Sequence, residues 1–168
     1  MEARHHTGES PEPARGERMR HRPYRALVLM AAVSLAAMYG LMYAMVDTIA
    51  NVYPNFNQFY MAGLMAAAMV IIEIGLMGVM YHDRTLNAVI VAASLAAMIA
   101  FWVLIRQQAG ITDRQFLRSM IPHHASALLM CEKAPIDDPE VKALCGEILS
   151  SQQAQIDQMK AKLDELEN

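Results

Sequence analysis

Charge is scarce in this chain: Asp, Glu, Lys and Arg make up 18% of 168 residues, while 55% are hydrophobic. Ordinary soluble domains carry roughly 25% charged residues, so the imbalance excludes a typical water-soluble fold for much of the length. The net charge is -3 and no basic stripe runs along a predicted exposed element, which leaves no electrostatic footprint for nucleic acid. Internal repeats and low-complexity tracts are also missing, so solenoid and linker-like readings fall away. What remains is a concentrated excess of apolar residues.

That excess lies in three runs. Ala26 to Val46 and Leu86 to Ile105 hold no charged residue, and Phe59 to Tyr81 holds only Glu73. Each is as long as the about 20 helical residues that cross a ~30 Å hydrocarbon core. Residues 26–106 are therefore expected to form three transmembrane helices in contact with membrane lipid. The links Asn51 to Asn57 and His82 to Thr85 are short, which makes the helices sequential antiparallel neighbours. Tyr39, Tyr43, Tyr53, Tyr60 and Tyr81 fall near run ends, where an amphipathic ring suits the headgroup layer.

Arginine distribution gives a direction. Arg4, Arg15, Arg18, Arg20, Arg22 and Arg25 precede the first run, whereas Asp47 to Gln58 carries neither Lys nor Arg. The positive-inside bias places the N-terminus in the cytoplasm and, after three crossings, the C-terminal segment outside. The expected setting is a bacterial inner membrane with a periplasm-facing domain. Residues 1–25, rich in Gly, Pro, Glu and Arg without apolar periodicity, read as a disordered cytoplasmic tail. The first apolar run is too long for a secretory signal core and lacks a separate small-residue cleavage site, so it reads as an uncleaved anchor.

After Gly110 the pattern becomes amphipathic, and residues 111–168 are expected to form a helical hairpin. Thr112-Asp113-Arg114-Gln115 has the form of a capping box that opens a helix reaching about Lys133. Pro135, Asp137 and Asp138 make the turn. Asp138 is the expected N-cap of a second helix, with Pro139 at its first position. Val141, Ile148, Ile156, Met159, Leu163 and Leu166 keep helical spacing to the end.

Met120, His123, His124, Met130 and Cys131 share an arc of about 120° on the first of these helices. Two imidazoles, two thioethers and a thiol suit Cu(I) and, less well, Zn. Pro122 beside them removes a backbone donor and frees the carbonyl of Arg118. The competing reading makes the sulfur residues ordinary core filler and the histidines polar residues at its edge. Cys131 and Cys145 flank the turn at similar distances, so a disulfide across the hairpin and a pair of thiolate ligands both fit the spacing.

The stretch Gln-Phe-Leu-Arg-Ser-Met-Ile-Pro-His-His-Ala-Ser-Ala-Leu-Leu-Met through Gln-Gln-Ala-Gln-Ile-Asp-Gln-Met, residues 115 to 160, resembles the domain of unknown function 305 family. That is a ferritin-like helical group with copper-binding members. The resemblance implies metal-binding roles for Met120, His123, His124, Met130 and Met159, and an extracytoplasmic setting. It makes the hairpin half of a ferritin-like four-helix bundle. Gln155 stands where the family commonly has Glu, and Cys131 and Cys145 stand where small residues are usual. No Glu-x-x-His pair occurs in the hairpin, so a di-iron oxidase centre is not expected and the reading is non-enzymatic.

Within the apolar runs, Met61, Met65, Met69, Glu73 and Met77 recur every four residues. A carboxylate in hydrocarbon is a functional candidate by default. Depth counting at ~1.5 Å per residue puts Ser34 and Ser94 in one layer with Glu73 and makes them its expected partners. The leading reading is a membrane-anchored copper-binding protein that contributes to copper tolerance. The alternatives are a metal-transporter subunit built on Glu73 and the Met stripes, and a sensor or interaction module. A two-helix hairpin with an uncovered apolar face is expected to pair as a homodimer or higher oligomer.

Overall fold

The computed structural model describes residues 13–168, with side chains described from Arg22 onward. The described chain is all-helical, in the order α1 (Pro13–Leu41), α2 (Phe56–Leu76), α3 (Arg84–Gln107), α4 (Asp113–Lys133) and α5 (Pro139–Glu167). Two 3-10 turns, Met42–Met45 and Ile49–Asn51, lie between α1 and α2. Three segments are long and apolar enough to cross a membrane: Arg22–Met45, Phe56–Leu76 and Arg84–Gln107.

Two boundaries differ from expectation. Helix α1 starts at Pro13 and contains Pro23, so residues 13–25 of the expected disordered tail are helical. Arg, Glu and Met there are good helix formers, a signal that low apolar content concealed. Residues 1–12 of that tail lie outside the described residues. Helix α2 stops at Leu76 rather than continuing to Tyr81, and Met77 N–H closes its last turn on Glu73 O at 2.8 Å. Gly75 and Gly78, both poor helix formers, bracket the stop.

Helix α2 is the centre of the three-helix bundle, since α1 and α3 each pack against it. Small residues make the contacts close: Ala62, Gly63 and Ala66 are buried. A Cβ at Gly63 would sit 2.5 Å from the Phe101 ring of α3, so only glycine lets that ring lie against the α2 backbone. Asn55 caps α2 by accepting from Gln58 N–H, and Asp83 caps α3 by accepting from Leu86 N–H. At the α2–α3 link, Leu27, Ile74 and Tyr81 form a buried cluster on which Tyr24 packs.

Helices α4 and α5 pair as the expected hairpin around Ile121, Ala125, Leu128, Ile156 and Leu163. Asp138 caps α5, accepting from Glu140 and Val141 N–H at 2.9 and 3.0 Å, with Pro139 at its start. The Thr112 capping box does not form: Thr112 makes no side-chain cap bond. Gln115 instead accepts from Phe56 N–H, an otherwise unpaired donor in the first turn of α2.

Candidate metal centre

Helix α4 is fixed in place by the loop between α1 and α2. Val46 and Tyr53 pack on the hairpin core, covering part of the apolar face expected to be open. Asn55 Nδ2 donates to Arg118 O at 3.5 Å, the carbonyl that Pro122 leaves without its helical partner. At the entrance to the hairpin, Asn57 and Gln108 exchange side-chain amide bonds at 3.1 and 3.2 Å, and Tyr60 donates to Ala109 O at 2.8 Å. Arg118 also pairs with Glu167, joining the start of α4 to the end of α5. Asn55, Asn57, Gln108 and Gln115 carry this junction; of these the sequence singled out Gln115 alone, and for a local capping box rather than for this contact. The density of Asn in an otherwise apolar neighbourhood was the available signal.

The arc of five donors divides on this frame. His124 and Cys131 are half-buried on the side of α4 that turns toward α5, whereas His123 and Met130 are exposed. Cys131 is joined to Cys145 in a disulfide, with Cα atoms 5.3 Å apart. The expectation of thiolate ligands at both positions is therefore corrected: the hairpin ends come close enough for the sulfurs to bond to each other, which removes them as thiolate donors.

His124 is the most distinctive side chain of the set. Its Nδ1 is buried and has no hydrogen-bond partner. Burial holds its pKa below the ordinary histidine value, and the neighbouring His123 adds to the effect. Gln152 and Gln155 of α5 act in the opposite direction. The His123 and His124 rings sit edge to face with centroids 6.0 Å apart. Met159 packs against the hairpin core beside Ile156, and Met120 is half-buried on α4.

A neutral imidazole nitrogen without a partner, with thioethers on the same two helices, is a donor set of the kind a soft ion takes. Among the described residues no group of three or more His, Cys, Asp or Glu is placed to hold a metal together.

The intramembrane candidates lie elsewhere. Glu73 accepts from Tyr81 Oη at 3.3 Å, so the expectation of Ser34 or Ser94 as its partner is corrected. Because α2 ends at Leu76, Glu73 is about 4.5 Å from its helix end, whereas Ser94 is about 15 Å from the start of α3. Ser34 donates instead to Met30 Sδ, and Ser94 is buried in the three-helix bundle. Met61, Met65 and Met77 of the stripe are each more than a third exposed and turn outward from the bundle.

Residues 95–167 match the family described as Domain of unknown function (DUF305). An uncharacterized protein of Acanthamoeba polyphaga mimivirus is 33% identical over 142 residues, covering 83% of this chain and 91% of that protein. No solved structure matches the chain significantly.

Proposed function

The chain belongs to the family described as Domain of unknown function (DUF305), and from that footing we propose that it is a membrane-anchored protein that binds copper as Cu(I) on its C-terminal hairpin. In this reading α1, α2 and α3 span the membrane and the hairpin lies outside the cytoplasm. The protein is a binder, not an enzyme, and serves copper tolerance by capturing the ion before it enters the cell. The observation that carries the reading is the buried, unpartnered Nδ1 of His124. An orphaned imidazole nitrogen costs free energy that a ligand can return, and the two helices around it carry soft sulfur donors. His123, Met120, Met130 and Met159 supply the remaining candidates on α4 and α5.

The disulfide fits an oxidising compartment, the side to which the arginine distribution assigns the hairpin. Metal analysis and Cu(I) titration of the purified full chain test the proposal against a His123→Ala/His124→Ala variant. The expected outcome is Cu(I) bound by the parent protein and lost from the variant. Unchanged Cu(I) affinity in the variant overturns the assignment.

A further inference from the structure

We infer that the outer face of α4 seats a second copy of this chain, and that the two copies together complete the metal site. The inference rests on the copper reading above and deepens it by naming the partner. Phe116, Met120, His123, Ala127 and Met130 alternate at spacings of four and three, the repeat of a coiled-coil seam. At about 100° per residue this line lies opposite Ile121, Ala125 and Leu128, which face α5. It is uncovered: Phe116 is 50% exposed, Met130 is 51% exposed and His123 is also exposed. Helix α4 thus carries two apolar faces, one of them used.

Three features select a second copy as the occupant. Between Phe116 and Cys131 the seam and the positions beside it, Leu117, Ser119, His124, Ser126 and Cys131, carry no permanent charge. Steps of three or four from the seam meet charge only at the helix ends, Asp113 and Lys133, so the central faces meet without like-charge repulsion. Two copies anchored in one membrane are related by a two-fold axis along its normal, and with α4 upright on that normal the two α4 helices run parallel. In such a parallel seam each position faces its own counterpart, and Ala127 leaves room for close approach.

The third feature is the donor set. His123 is exposed, with His124 beside it at 6.0 Å between ring centroids, and among the described residues no three His, Cys, Asp or Glu gather to hold a metal. Pairing sets His123 against His123 of the partner subunit, with the two Met120 thioethers one layer away. Two imidazoles and two thioethers are a complete soft set for Cu(I). His124, on the flank of the seam, holds the α5 side.

The test uses the full chain in detergent or lipid nanodiscs, with mass measurement and Cu(I) titration on the same samples. The parent protein is expected as a dimer binding one Cu(I) per two chains. Ala127→Glu, which places a carboxylate in the seam, is expected as a monomer with Cu(I) affinity reduced by more than about ten-fold, a scale on which even outer-shell partners of a metal matter. A second measurement does not depend on that variant folding: Ala127→Cys should cross-link between copies in membranes, and Gln153→Cys on the exposed surface of α5 should not. A monomeric parent protein, or a monomer keeping one Cu(I) per chain at full affinity, overturns the seam and leaves the copper reading standing. A dimer that cross-links through position 127 but takes up no Cu(I) supports the pairing and overturns the copper reading.

Discussion

The two halves of this molecule are held together in opposite ways. In the hairpin the largest fully buried side chains are Ile121, Ile156, Leu163 and Pro122, with Ala125 fully buried among them. Among the three apolar helices the small residues Ala62, Gly63, Ala66 and Ser94 are buried, Leu27 and Ile74 are buried in one cluster at the α2–α3 link, and most other large apolar residues point outward. In water, an Ile gains by leaving the surface. In lipid it gains nothing by exchanging one apolar neighbour for another, and association depends on how closely two backbones approach. The same helical chemistry therefore uses bulk in one half and the lack of it in the other.

The sharpest way to break that comparison is to truncate one isoleucine in each half. Ile156→Ala is expected to destabilise the hairpin by about 2–5 kcal/mol, the range for emptying a packed aliphatic site. Ile99→Ala, at a position 64% exposed on α3, is expected to cost less than about 0.5 kcal/mol. Denaturant unfolding of the full chain in detergent, followed by circular dichroism, measures both. Equal losses would mean that the apolar helices also rely on bulk.

A smaller effect tests close approach directly. Gly63→Val forces a side chain into the Phe101 ring and is expected to cost ~1–3 kcal/mol, while Gly40→Val, with nothing within 4 Å of its added Cβ, should leave the α2–α3 contact intact. Thermal unfolding in detergent compares the two. A Gly63 variant as stable as the parent would show that the ring yields and that small residues do not set the spacing.

The smallest expected effect is pH dependence in the hairpin without metal. His124 has a depressed pKa when folded, so folding favours its neutral form. Its contribution is present above the unfolded value of about 6.5 and is lost as pH falls through the lower folded value. Stability should therefore decline on acidification, and His124→Gln should flatten part of the decline. A variant with the parent's pH profile would assign the loss to other groups.

Much of the fold was legible because its solvents impose simple demands. Helices long and apolar enough to cross a bilayer need uninterrupted apolar runs of a set length, and those runs are unmistakable in Ala26 to Val46 and Leu86 to Ile105. The start of α5 was legible because Asp138 and Pro139 carry its capping chemistry locally. The end of α2 was misplaced because Met77 to Tyr81 is as apolar as the helix before it, and glycine spacing alone decided the stop. The same five-residue difference moved Glu73 out of the serine layer and toward Tyr81.

The candidate site was legible in its residue types and not in its grouping. Spacing on one helix shows that His123, His124, Met130 and Cys131 share an arc, but not which edge of the arc a second helix covers. That depends on α5, which claims Cys131 through Cys145 and half-buries His124. Gln115 shows the same limit. It fits a local capping box, yet the unpaired donor of another helix outcompetes the local one.

The junction between loop and hairpin also bears on the order in which the chain is made. Asn55 and Phe56 leave the ribosome well before Arg118 and Gln115, and the bonds between them span 63 and 59 positions of sequence. The hairpin emerges after the loop and docks where the loop has already arrived. A span that slipped by one turn would carry Asn55 about 5.4 Å from its mark and miss both bonds. Docking of α4 and α5 thus depends on where α1 and α2 have placed the loop between them.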